Sequence, residues 1–86
     1  MQEFRWNLLK SERLKKTRGM SFDEITKAKL IKIKEHPNKA EQRLLLFETR
    51  GYIWVVPCVI KEGGIFLKTL YPSRKYTKMF KRGELS

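Results

Sequence analysis

One cysteine, one histidine and one aspartate are all that the 86 residues contain. A lone Cys58 excludes an internal disulfide. With only His36 and Asp23 beside it, the chain lacks the clustered ligands of a zinc site or a calcium loop. No metal and no cofactor are expected. Gly63-Gly64 lacks the Lys-Ser/Thr and the helix that complete a phosphate-cradling loop. Long hydrophobic runs are missing too: the longest, Tyr52 to Ile60, is interrupted by Pro57 and is too short to span a bilayer. The opening residues, Met1-Gln2-Glu3-Phe4-Arg5-Trp6-Asn7, do not follow the basic-then-apolar order of a secretory leader. The expectation is a cytoplasmic chain with no membrane partner. Cys58 lies between Pro57 and Val59 with no local base or cation to lower its pKa, which makes it a small buried hydrophobe.

Negative charge is scarce as well. Nine Asp plus Glu stand against 20 Lys plus Arg, a formal net charge of +11 and a pI near 10.1. An excess of this kind opposes folding by self-repulsion and favours a polyanionic partner, nucleic acid before an acidic protein. With 41% hydrophobic residues and ten aromatics, residues 1–86 are expected to form one small domain with a thin core.

Local signals divide the chain into helices followed by strands. Asn7 or Ser11 can cap a helix through Leu8, Leu9 and Leu14 that stops at Gly19, where a left-handed residue fits and Lys15, Lys16 and Arg18 suit the negative helix pole. Ser21-Phe22-Asp23-Glu24 is a capping box for a second, short helix through Ile25 and Ala28. Strand texture begins at Leu30–Lys34, before a His36-Pro37-Asn38 turn. It resumes over Arg43–Thr49, passes a tight Arg50-Gly51 turn, runs over Tyr52–Ile60 with a bulge or an edge at Pro57, and turns at Lys61–Gly64 into Ile65–Tyr71. Pro72-Ser73 opens a last helix with Tyr76, Met79 and Phe80 at helical spacing. Phe4-Arg5-Trp6 reads as a short first strand or an aromatic anchor. The expected fold is α+β: two N-terminal helices, an antiparallel sheet of about four strands and a C-terminal helix, with one sheet face packed and the other free for a partner.

Two groups of residues resemble a known family. Phe4-x-Trp6-Asn7-x-x-Lys10, then Lys15-Lys16-x-x-Gly19-x-Ser21-Phe22-x-Glu24, is similar to the opening signature of the BrnT toxins. Tyr71-x-Ser73-Arg74-Lys75-x-Thr77 resembles the segment that closes the last strand in that family, with Ser73 here adjoining Arg74. Arg18 stands where the family carries a histidine, and the middle strands offer no one-to-one match. The resemblance implies a RelE-like fold and a metal-independent endoribonuclease toxin that cuts RNA, ribosome-bound mRNA included, and inhibits translation. It also implies a ribbon-helix-helix antitoxin as partner, with DNA engaged only through the antitoxin complex.

RNA carries its own nucleophile, the 2′-hydroxyl, so a protein needs only to help deprotonate it, neutralise charge on the phosphoryl oxygens and protonate the leaving oxygen. Arg74 and Lys75 are the first candidates, as phosphate clamps where the last strand gives way to a helix. Arg18 joins them through its place in the family pattern. His36 has the one side chain with an unperturbed pKa near neutrality. Lys10, Arg13 and Lys16, spaced i, i+3, i+6, form a backbone-binding strip. Ser73, Tyr71 and Lys78 complete the candidate RNA contacts, with Tyr71 able to stack on a base or donate a proton. Two other readings stay open: a basic module that binds nucleic acid without cutting it, and an interaction domain that receives an acidic or amphipathic segment.

Overall fold

The computed structural model describes residues 3–85. Met1, Gln2 and Ser86 lie outside them, and with Met1 and Gln2 the head of the segment read against a secretory leader. The elements run β1 (Glu3–Arg5), α1 (Leu8–Arg18), α2 (Phe22–Ile25), β2 (Lys29–Glu35), β3 (Gln42–Thr49), β4 (Tyr52–Lys61), β5 (Gly64–Leu67), β6 (Tyr71–Pro72) and α3 (Arg74–Lys81). Among the described residues no helix is long and apolar enough to cross a membrane.

The helix ends follow their local chemistry. Asn7 accepts the Lys10 N–H, Gly19 closes α1 at φ 78°, and Ser21 and Glu24 form the full capping box of α2. The Arg50-Gly51 turn has positive φ at both residues, 56° and 80°, which lets two residues join β3 to β4 without opposing the sheet twist.

The sheet departs from expectation in three ways. It has six strands instead of four, in the order β1-β5-β4-β3-β2 with β6 also on β4, and it is mixed: β1 pairs parallel with β5. That pairing sets Phe4 against Ile65, and the Phe4 ring meets Phe47 edge-on at 6.4 Å. Partners so far apart in sequence leave no local signal. Secondly, the single strand expected over Ile65–Tyr71 is split. The Lys68 N–H donates to the Pro57 carbonyl at 2.8 Å, so the Pro57 ring nitrogen faces the same side, into the gap between β5 and β6. Pro57 keeps register with Leu44 on β3 and withholds a donor only on this side, a local edge without a bulge. Thirdly, both faces of the sheet are packed.

The third departure has a simple cause. β3 and β4 are apolar at successive positions, Leu44 to Phe47 and Ile53 to Val59, instead of alternating. Strands of that kind must be buried on both sides. Leu45, Phe47, Val56 and Cys58 face α1 and α2, where Leu14, Phe22 and Ile25 cover them. Leu44, Leu46, Ile53 and Val55 face the other way, under Tyr76, Met79 and Phe80 of α3 and Leu85. A bulge between Leu30 and Lys32 turns Ile31 into that second cluster. α3 is short, however, and leaves the second face open over β5, β1 and the end of β4.

Thr77 and Ser73 seat α3. The Thr77 hydroxyl donates to the Ser73 carbonyl at 2.6 Å and accepts the Ile53 N–H at 2.9 Å, while the Ser73 N–H donates to the Ile53 carbonyl at 2.9 Å. The foot of α3 is thereby fixed to the first rungs of β4.

A cationic sheet edge as candidate functional site

On α1 the residues Ser11, Leu14 and Arg18 share one stripe by their i, i+3, i+7 spacing, and the first two are buried. Arg18 therefore leans inward at the end of the helix, over the gap between β5 and β6. Its guanidinium donates to the carbonyl of Leu70. Leu70 is fully buried, dropped into the core where the strand is interrupted. One of the five guanidinium N–H donors is used in this way, and the fork stays available for an anion.

Tyr71, the next residue, shares this neighbourhood. The residue is 38% exposed, and its phenol pKa is pushed up, first by burial and then by the nearby Tyr76, against the opposing pull of the Arg18 cation. It is therefore a protonated hydrogen-bond donor at neutral pH. Lys75 and Lys34 stand over the Tyr76 ring at 5.6 and 5.8 Å, within cation–π range. Arg74, Lys75 and Lys78 are exposed on α3, and among the described residues the ion pairs engage Arg5, Lys15 and Lys27 and none of these three.

The open part of the second face continues from Tyr71. Tyr71 pairs with Val55 and Phe66 with Val59, while the Lys68 N–H meets Pro57, so all three side chains rise on the α3 side of the sheet. Successive members of this row are about 7 Å apart, two residues of strand rise. Phe66 is 40% exposed with Lys68 at 5.9 Å over its ring. Arg5, Val59, Lys61, Glu62, Gly64, Phe66 and Lys68 line a shallow cleft of about 260 Å³ there, in which Arg5 pairs with Glu3 at 3.0 Å and Lys61 and Lys68 outnumber the one carboxylate of the lining, Glu62.

Of the residues singled out in the sequence, the fold brings Arg18 to the Leu70 carbonyl, one residue before Tyr71, where its charge acts on the phenol, and sets Arg74 and Lys75 at the foot of the helix that follows. His36 lies just past the end of β2, where its Nδ1 accepts the N–H groups of Asn38 and Lys39 at 3.0 and 3.1 Å. Ser73 is the N-cap of α3, its hydroxyl accepting the Tyr76 N–H at 3.1 Å. Lys10, Arg13 and Lys16 lie off the inward stripe of α1. Glu48 closes the β3–β4 turn by accepting the Gly51 N–H at 2.8 Å. Cys58 is fully buried and its thiol pKa is pushed up by that burial.

Arg5, Lys34, Lys61, Phe66 and Lys68 escaped the sequence reading. The two-residue spacing of Phe66 and Lys68 was a usable signal, since it puts both on one face of a strand. Nothing in the sequence joins Arg5 to them, because β1 reaches β5 only through the tertiary fold.

This fold is that of a known toxin structure. The Brucella abortus ribonuclease toxin BrnT aligns with a TM-score of 0.58 at 16% sequence identity, over 85% of this chain and 97% of that one. No family model and no curated protein sequence matches the chain. At that identity the likeness is one of architecture: the chain has a BrnT-like toxin fold.

Proposed function

We propose that the chain is a toxin that cleaves single-stranded RNA by attack of the substrate's own 2′-hydroxyl, and that it arrests growth by destroying translated message. The observation that carries this reading is the Arg18 guanidinium held on the Leu70 carbonyl, next in sequence to the exposed Tyr71, at an open, cationic sheet edge in a fold shared with a ribonuclease toxin.

In the proposed step the 2′-oxygen bonds to phosphorus and its proton passes to solvent. The bond from phosphorus to the 5′-oxygen breaks, leaving a 2′,3′-cyclic phosphate and a 5′-hydroxyl. Arg18, with its free fork edges, and Arg74 neutralise charge on the non-bridging oxygens, a contribution worth about 10²–10³ in rate for one well-placed donor. Tyr71 gives its proton to the leaving oxygen and regains one from water. A raised pKa suits it for donating and unsuits it for acting as a base. Lys75 and Lys78 hold flanking phosphates, and Phe66 with Lys68 carries the strand along the open face. An unpartnered toxin of this charge needs restraint in the cell, which fits an acidic antitoxin of the ribbon-helix-helix kind.

The test is incubation of the purified protein with single-stranded RNA and analysis of the product ends. Cyclic phosphate termini, lost when a 2′-deoxy residue precedes the scissile bond and much reduced in Tyr71→Phe, are the expected result. RNA left intact, together with undisturbed growth when the soluble wild type is induced, overturns the proposal. Binding without cleavage is the second reading, favoured by the Phe66–Lys68 platform, which serves adhesion whether or not chemistry follows. Salt-sensitive binding to RNA that stays whole would establish it.

A further inference from the structure

A second cleft lies on the opposite face of the sheet, immediately behind Tyr71. Its volume is about 520 Å³, and it opens between the end of α1 and the β3–β4 turn. Tyr52, Trp54, Arg50 and Pro72 form one wall, with Lys15 and Glu24 across from them. Tyr52 and Trp54 are half-buried, so part of each ring faces the opening. Resting on the reading of the chain as an RNA-cleaving toxin, we infer that this cleft takes one unpaired base of the RNA beside the scissile phosphate, stacked on Trp54 and Tyr52 with its phosphate on Arg50.

Position is the first argument. Tyr71 and Pro72 are consecutive residues of β6, a strand that among the described residues has no neighbour on its outer side along the Trp54–Val55 stretch it pairs with. Successive strand residues point to opposite faces. Tyr71 and the cleft are thus separated by the thickness of one two-residue strand, while Arg18 lies on the helix that borders the cleft. Gly19, which also lines the cleft, follows directly on Arg18. A nucleotide chain passing the Arg18–Tyr71 pair needs to turn over only this edge to deliver its next base.

Chemistry is the second. A cleft of this size lined by aromatic rings and a few polar groups suits a small planar ligand. Its carboxylate, Glu24, is already matched by Lys15 at 2.8 and 2.9 Å, so Arg50 leaves the opening net positive. An aromatic floor with a cation at the rim is the arrangement by which single-stranded nucleic acid is held without duplex geometry.

The third concerns Arg50 itself. It is the one non-glycine residue with positive φ among the described residues, at 56°, in a turn that favours Asn or Gly at that place. A bulky side chain kept in an unfavourable backbone region points to a use for the side chain, and here it borders the cleft.

The experiment follows a short single-stranded RNA, 2′-O-methylated to prevent cleavage and fluorescently labelled, by anisotropy and by tryptophan emission. Binding should quench the tryptophan signal, and the quench should vanish in Trp54→Phe. Arg50→Gly, which suits the turn and leaves the core untouched, should weaken binding about fivefold and lower the slope of log K against log salt by about 0.7, the share of one phosphate on a single strand. Should the wild type bind with no change in tryptophan emission, and Arg50→Gly bind equally well with the same salt slope, the subsite is overturned while the toxin reading stands. Should the wild type not bind the RNA at all, both fall.

Discussion

Replacing Arg18 separates a structural role from a chemical one. Its guanidinium caps the Leu70 carbonyl, and its charge acts on the phenol of Tyr71, the next residue. In Arg18→Met the stem that packs over the gap is kept and both polar functions are lost. Leaving a buried acceptor unmet costs about 1–3 kcal/mol, and the low end applies because this bond is only partly buried and water can replace the donor. A loss of about 1 kcal/mol lowers the melting temperature of a domain this size by roughly 4–8 °C. Cleavage should fall much further, about 10²–10³-fold, if the fork neutralises charge in the transition state. Arg18→Lys keeps reach, charge and one donor, so it should recover most of the stability. Its rate should stay about tenfold low for want of a bidentate fork. Arg18 is also what holds the Tyr71 pKa down against burial and Tyr76, so the phenol should titrate at still higher pH in Arg18→Met, as followed by ultraviolet absorbance. Thermal melts and single-turnover cleavage at a temperature where both variants are folded supply the comparison. If Arg18→Met melts lower but cuts RNA at the wild-type rate, Arg18 is a carbonyl cap and the mechanism proposed here is wrong.

Thr77→Val should destabilise by about 2 kcal/mol in urea titration, because a buried Ile53 N–H loses its acceptor, whereas Thr77→Ser should stay near wild type; equal stability of the two would show that the hydroxyl bridge does not seat α3. Phe66→Ala should weaken single-stranded RNA binding by about 1–3 kcal/mol with little change in salt slope, since stacking is lost and no phosphate contact is; unchanged affinity would remove the open face from the RNA path. The buried Cys58 thiol has its pKa raised in the folded state, so its contribution to stability is complete below the ordinary thiol pKa and declines as pH rises through the raised value. Alkaline melts should therefore show a loss that Cys58→Ala lacks. The Glu24 pKa is lowered, chiefly by Lys15 and then by the Ser21 N–H, so its contribution is present above the ordinary carboxylate value and declines as pH falls through the lowered one; Glu24→Gln should flatten that acid limb.

What could be read along the chain was what neighbours in sequence decide. The caps at Asn7 and Ser21, the stop at Gly19, the turn at Arg50-Gly51 and the start of α3 at Ser73 all rest on interactions within a few residues, and the surplus of cations is a sum that needs no coordinates. For Arg74 and Lys75 local reading gave only their place at the strand-to-helix junction, where α3 does begin; their proposed role came chiefly from the family resemblance. Tertiary structure alone decided that β1 pairs parallel with β5, because its partners lie some sixty residues away and are chosen by the packing of Phe4 on Phe47. It decided that α3 covers only part of the second face, which is what leaves Phe66, Lys68 and Arg5 exposed together. It also decided that Arg18 reaches Leu70, beside Tyr71, for the gap it fills exists only where Pro57 denies β4 a donor and the outer strand breaks in two. Caps and turns are written in adjacent residues; a site made by one strand's missing hydrogen bond can be seen only once its neighbours are in place.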